Sequence, residues 1–135
     1  MVTALEIFKK GAELANEDPD TASMMVDFDG DKVCFRFTDD KPITMVTSKG
    51  KVVIEEGERP DSQVVMELSA IKICDVIDKT MDIMELNKAG KMVKGQLQDI
   101  FDHVISFMPY FNAMQKFYPT NHEFKKMVDE RKAKK

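Results

Sequence analysis

Ala89-Gly90-Lys91-Met92-Val93-Lys94-Gly95 places four residues between two glycines, too few for a helix, and reads as a brief strand that joins the edge of a sheet. Before it, Ser69 is placed to cap a helix in which Ala70, Ile73, Cys74 and Ile77 share one face. Thr80 is placed to cap a shorter helix bearing Met81, Ile83, Met84 and Leu86, which Gly90 closes. After it, Leu97, Ile100, Phe101, Val104, Ile105 and Met108 form a long apolar helical stripe that Pro109 should kink or end. The stretch from Pro60 to Pro109 therefore predicts apolar elements wrapped around a space with no catalytic group.

The N-terminal half supplies the sheet. Thr3 and Glu6 have capping-box spacing, and Ala4, Ile7, Phe8, Gly11, Leu14 and Ala15 then recur on one face of a helix that Asp18-Pro19-Asp20 stops near Glu17. Period-two runs follow at Met24, Val26, Phe28 and at Val33, Phe35, Phe37, predicting a hairpin turned at Asp29-Gly30-Asp31. A second strand pair covers Ile43 to Thr47 and Val52 to Glu55 around Ser48-Lys49-Gly50-Lys51, and Asp61 to Leu68 supplies a fifth strand. Apolar side chains on one strand face alternate with Arg36, Thr38, Thr44, Glu55 and Glu67, the pattern of an antiparallel sheet with one wet face in an α+β domain.

Past Pro109, Tyr110, Phe111, Met114, Phe117 and Tyr118 continue the apolar pattern, and Thr120 with Glu123 repeats the capping-box spacing before a last helix. We divide the chain into a main domain over 1–118 and a helical extension with a basic tail over 119–135. Lys125, Lys126, Arg131, Lys132, Lys134 and Lys135 could draw it to anionic membranes, but Asp129 and Glu130 interrupt the run, and a solvated tail is favoured.

A chain of 135 residues suits a single core. Its net charge of −4 excludes a phosphate-tracking nucleic-acid surface. Cys34 and Cys74 are isolated and read as buried hydrophobes, not as a metal or redox pair. No signal-peptide core or membrane span is evident, so a cytoplasmic location is the default. His103, near Asp99 and Asp102 on the face opposite the stripe, is expected in solvent, and Asp27, Asp29, Gly30 and Asp31 match a calcium loop too poorly to displace a hairpin turn.

The order of these elements resembles the sterol carrier protein type 2, or sterol-binding domain, family. The phrases that carry the resemblance are Val33-Cys34-Phe35-Arg36-Phe37-Thr38-Asp39, Ile43 to Val53, Pro60 to Ser69, and Leu86-Asn87-Lys88-Ala89-Gly90-Lys91-Met92-Val93-Lys94-Gly95. Asp78-Lys79-Thr80 stands where the family commonly has a Gly between helices. The resemblance implies an α+β, sterol-carrier-protein-like fold: a five-stranded, mostly antiparallel sheet with helices packed on one face and a hydrophobic tunnel between the layers. It implies non-enzymatic binding or transfer of sterols, fatty acids, acyl-CoA or other lipids.

The expected pocket is walled by Val64, Met66 and Leu68 from the sheet and by Ile73, Ile77, Met81, Met84, Ile100, Phe101, Val104 and Met108 from the helices. From the residues alone the many Met are favoured as core gap-fillers, and the resemblance is what tips Met66, Met81, Met84 and Met108 toward the tunnel. An empty lipid-sized hole of about 400 Å³ would cost roughly 10 kcal/mol, so the pocket should be filled or closed by moving the helices after Ser69. The expected partner is a hydrophobic small molecule or lipid, with no cofactor and no nucleic acid. Transient contact with a membrane surface remains open. Two alternatives are an accessory domain of a lipid or cofactor pathway and a homodimer through the apolar stripe.

Overall fold

The computed structural model describes residues 2–134, with the side chain of Asn87 outside the described set; Lys135 also lies outside it. Helix α1 (Ala4–Glu17) starts as its capping box dictates: Glu6 N donates to Thr3 Oγ1, and Thr3 N donates to Glu6 Oε1, both at 3.3 Å. Its buried face of Ile7, Phe8, Gly11, Ala12 and Ala15 lies on the sheet and on a later helix.

Asp18 ends α1 and also begins α2 (Pro19–Met25), accepting from Thr21 N and Thr21 Oγ1. The strand expected over Met24 to Phe28 is therefore replaced by the end of a helix and a turn. An Asp N-cap followed by Pro in the first turn is a start signal that outweighs three alternating apolar residues. Met24 and Val26 are consequently exposed.

Five strands remain: β1 (Lys32–Phe37), β2 (Ile43–Ser48), β3 (Lys51–Glu56), β4 (Val64–Leu68) and β5 (Lys91–Lys94), in the order β3-β2-β1-β4-β5. Every pairing is antiparallel except β1 with β4, where Phe35 lies opposite Met66. Lys49 and Gly50 both take positive φ, 52° and 79°, in the two-residue turn between β2 and β3. β5 is the brief edge strand expected between the glycines, with Met92 beside Met66.

Helix α3 (Ala70–Ile77) is capped by Ser69, whose Oγ accepts from Ile71 N, while Asp39 accepts from Ser69 Oγ and Ala70 N. At its end Lys79 takes φ +66°, the left-handed conformation for which glycine is the usual choice. Asp82, not Thr80, caps the next turn (Ile83–Glu85) by accepting from Met84 N, and α4 (Leu86–Ala89) follows. A Cβ on Gly90 would sit 2.9 Å from the Glu67 carbonyl, so β5 can pack beside β4 only with glycine there.

The helix expected from Leu97 to Met108 is not regular. It runs as one α-turn, α5 (Leu97–Asp99), a π-helical stretch (Ile100–Val104) and a 3₁₀ turn (Ile105–Phe107). Pro109 has no N–H for the Ile105 carbonyl and its ring would crowd that carbonyl, so a continuous α-helix cannot pass through. Instead of kinking a helix, Pro109 sits in the first turn of a new one, α6 (Met108–Phe117).

The last helix, α7 (His122–Lys132), is capped by Asn121 rather than Thr120. It is not a solvated tail: Phe124 and Val128 belong to the core, and Arg131 is 2% exposed, with its guanidinium 3.2 Å from Asp39 and 3.3 Å from Asp40. Lys132 bridges Asp75 on α3 and Asp78 at its C-terminal cap. Under α1, Phe8 meets Phe35, Phe37, Tyr110 and Phe111, and Tyr110 Oη donates to the Phe8 carbonyl at 2.7 Å.

Candidate functional site: an apolar cavity under an irregular strap

Between the β1–β4 pair and the segment from Ile83 to Phe111 lies a cavity of about 110 Å³. Phe35 and Met66 form its floor, Ile83, Met84 and Leu86 one wall, and Ile100, Phe101, Val104, Ile105, Met108 and Phe111 the rest. All eleven lining side chains are apolar. At about 24 cal/mol per Å³ such a space costs roughly 3 kcal/mol, well below the roughly 10 kcal/mol of a 400 Å³ hole on the same scale.

Of the side chains predicted from sequence, Met66, Met84, Ile100, Phe101, Val104 and Met108 meet at this cavity. Val64, Leu68, Ile73 and Ile77 do not line it and are packed in the core. The cause is α7: α3 packs on α6 and α7, so the face bearing Ile73 and Ile77 is already covered. Met81 lines an adjoining basin with Lys79, Asp82, Ile83, Asn112 and Gln115. Phe35, Ile83, Leu86, Ile105 and Phe111 were missing from the predicted wall. All five stand in the apolar patterns of their segments, and for Phe35 the missing fact was the parallel pairing that sets it beside Met66.

The strap over the cavity leaves large apolar groups in water. Leu97, Phe101 and Ile105 are 66%, 54% and 53% exposed, and Met84 on the facing turn is 69% exposed. The π-helical stretch and the 3₁₀ turn after it bring Ile100, Phe101, Val104 and Ile105 all to the cavity, yet leave Phe101 and Ile105 more than half exposed at its rim.

His103 is not a free surface group. Its Nδ1 donates to Asp31 Oδ1 at 2.8 Å, and Asp31 is itself fixed to β2, its N–H donating to Thr47 Oγ1 and its carbonyl accepting from Thr47 N. Among the described residues this is the one side-chain hydrogen bond that ties the strap, residues 96–107, to another element; its other side-chain bonds are internal. The strap is thus anchored at its end by the buried Phe107 and its continuation into α6, and held over the cavity by a single side-chain latch and partial apolar contact.

Burial raises the Cys34 thiol and pushes Cys74 up to about 12, so neither is poised as a thiolate nucleophile. Among the described residues no three His, Cys, Asp or Glu side chains gather as a metal site, and no helix is long and apolar enough to cross a membrane.

No protein-family model and no curated protein sequence matches the chain. Solved structures do. A conserved hypothetical protein from Thermus thermophilus, suggested to be a sterol carrier protein, superposes with a TM-score of 0.60 at 11% identity, covering 82% of this chain and 85% of its own. The ubiquinone synthesis protein UbiJ-SCP2 gives 0.60 at 12% identity over 82% and 94%. Sterol carrier protein 2 gives 0.51 at 14% identity over 96% of each chain. At these identities the likeness establishes the architecture: the chain has the sterol-carrier-protein-like α+β fold.

Proposed function

Given that fold, we propose that the chain binds a hydrophobic small molecule or lipid in the cavity beneath the strap and carries it without chemical change. The supporting observation is the wholly apolar lining beside four large apolar side chains more than half exposed. Such a lining offers shape and burial, about 25 cal/mol per Å² of apolar surface removed from water, and no group for proton transfer. Fatty acid, acyl-CoA, sterol-like and isoprenoid chains are the ligand classes considered.

Entry proceeds by release of the strap ahead of the buried Phe107, since one side-chain latch and partial burial hold that part of it. This enlarges the cavity at the expense of contacts that are already incomplete. The two buried thiols suit a reducing, cytoplasmic setting.

A second reading, an accessory domain that presents a lipid to an enzyme of a lipid or cofactor pathway, is favoured by the likeness to a ubiquinone synthesis protein. Native mass spectrometry tests the primary reading. Protein extracted with organic solvent and refolded should take up added oleate at one equivalent, whereas a chain that retains no lipid and takes up none refutes lipid carriage. Sedimentation with and without oleate addresses the homodimer alternative: a tight dimer indifferent to lipid would assign the exposed apolar residues to a subunit interface.

A further inference from the structure

The cavity has no polar side chain, so a ligand's charged head cannot lie inside it; burying such a group without partners costs several kcal/mol. The head must emerge at one end, and the two ends differ. Ile83 separates the cavity from a basin lined by Lys79, Asp82, Asn112 and Gln115. On the far side, Met66 and Ile100 separate it from a groove lined by Met92, Gly95, Gln96 and Leu97. One end is polar and carries a cation; the other is mostly apolar and uncharged.

Lys79 is available for an anionic ligand. Of the three carboxylates within four residues of it, Asp75 and Asp78 are bridged by Lys132, and Lys79 makes no ion pair among the described residues. Gln115 Nε2 donates to the Val76 carbonyl at 3.0 Å, which holds the amide in place with its own oxygen and second N–H unspent. Asp82, the one carboxylate of the basin, turns Oδ1 to Met84 N as a helix cap.

We propose that Lys79, Asn112 and Gln115 form a head-group site for a single-chain anionic amphiphile, whose tail enters past Ile83, fills the cavity and runs between Met66 and Ile100 toward Gly95. This rests on the lipid-carrying reading and gives it a direction. A slender chain passes between two flexible or narrow side chains where a fused-ring nucleus does not, and Lys79 rewards a carboxylate over a neutral hydroxyl.

Calorimetric titration with oleate and oleyl alcohol, which share a chain and differ in the head, tests it on the intact protein and on Lys79→Glu and Gln96→Glu, each checked for an unchanged melting midpoint. The intact protein should favour oleate by roughly three- to tenfold. Lys79→Glu should abolish that preference with oleyl alcohol affinity unchanged, whereas Gln96→Glu, at the tail end, should shift both affinities alike and keep the preference. A preference that survives Lys79→Glu, a loss in that variant shared equally by both ligands, or a preference abolished by Gln96→Glu instead overturns the head-group site while leaving lipid binding intact. Binding of neither ligand to the intact protein refutes lipid carriage itself.

Discussion

The two sides of the helical layer use the same kinds of residue to opposite effect. On one side α1, α6 and α7 bury Phe8, Tyr110 and Phe124 almost completely and are tied down by bonds between residues far apart in the chain. On the other, the stretch from Ile83 to Phe107 flanks the edge strand β5 with short turns of three helix types and leaves Met84, Leu97, Phe101 and Ile105 largely in water. Apolar content therefore does not distinguish a scaffold from a binding element here; what does is whether a regular helix gathers the side chains into one stripe.

Paired substitutions should separate the two sides most sharply. Phe8→Ala is expected to cost about 3–5 kcal/mol of unfolding free energy, whereas Phe101→Ala should stay within about 1 kcal/mol while weakening lipid binding. Equal costs in urea denaturation would erase the distinction. Arg131→Ala comes next, at about 3 kcal/mol, because it leaves Asp39 and Asp40 charged and confined without their partner.

The same cluster sets an acid limit. Burial pushes the Asp39 carboxyl up, but hydrogen bonds from Ser69 and Ala70 and the Arg131 charge more than offset this and hold it below its ordinary 3.8. Asp78 behaves likewise through Lys132 and Thr80. A carboxylate more acidic in the folded state stabilises it above the unfolded value and loses that contribution as the pH falls through the folded one. The melting midpoint contributed by this side should thus be level above about pH 5 and fall below the ordinary 3.8. In Arg131→Ala the fall should be shallower; an identical acid profile would remove the cluster from the account.

On the strap, His103→Ala should cost about 1 kcal/mol or less globally, yet accelerate amide exchange throughout residues 97–107. Unchanged exchange there would mean that apolar contact alone holds the strap. The smallest effect concerns the turn that leads into this side: Lys79→Gly should stabilise by up to about 1 kcal/mol, since glycine takes φ +66° without strain. Destabilisation would show that the lysine stem contributes packing.

Legibility in the sequence divides along the same line. Thr3 with Glu6, Ser69, and the glycines around Lys91 to Lys94 announced α1, α3 and β5, because caps and turn residues act locally. Asp18-Pro19 carries a stop signal for α1 and a start signal for α2 at once, and the alternation of Met24, Val26 and Phe28 mimics a strand. Periodicity sets Ile100, Phe101, Val104 and Met108 on one apolar stripe, but it is the family resemblance that turns them, with Met66 and Met84, toward a tunnel. The π-helical stretch is not legible in the sequence, because it turns on a bond from the Ile105 N–H to the Ile100 carbonyl, five residues back, that apolar spacing does not encode. The docking of α7 was hidden for another reason: Arg131 meets Asp39 and Asp40 across some ninety intervening positions, and no local pattern links them.

The central claim is that lipid enters between the strap and the β1–β4 floor. Methyl-labelled methionine NMR during oleate titration tests it directly, because the reporters fall on both sides of the comparison. Met66, Met84 and Met108 line the cavity, while Met25, Met45 and Met114 are buried outside it. Saturable shifts confined to the first three are the predicted result; no shifts, or equal shifts in all six, would contradict it.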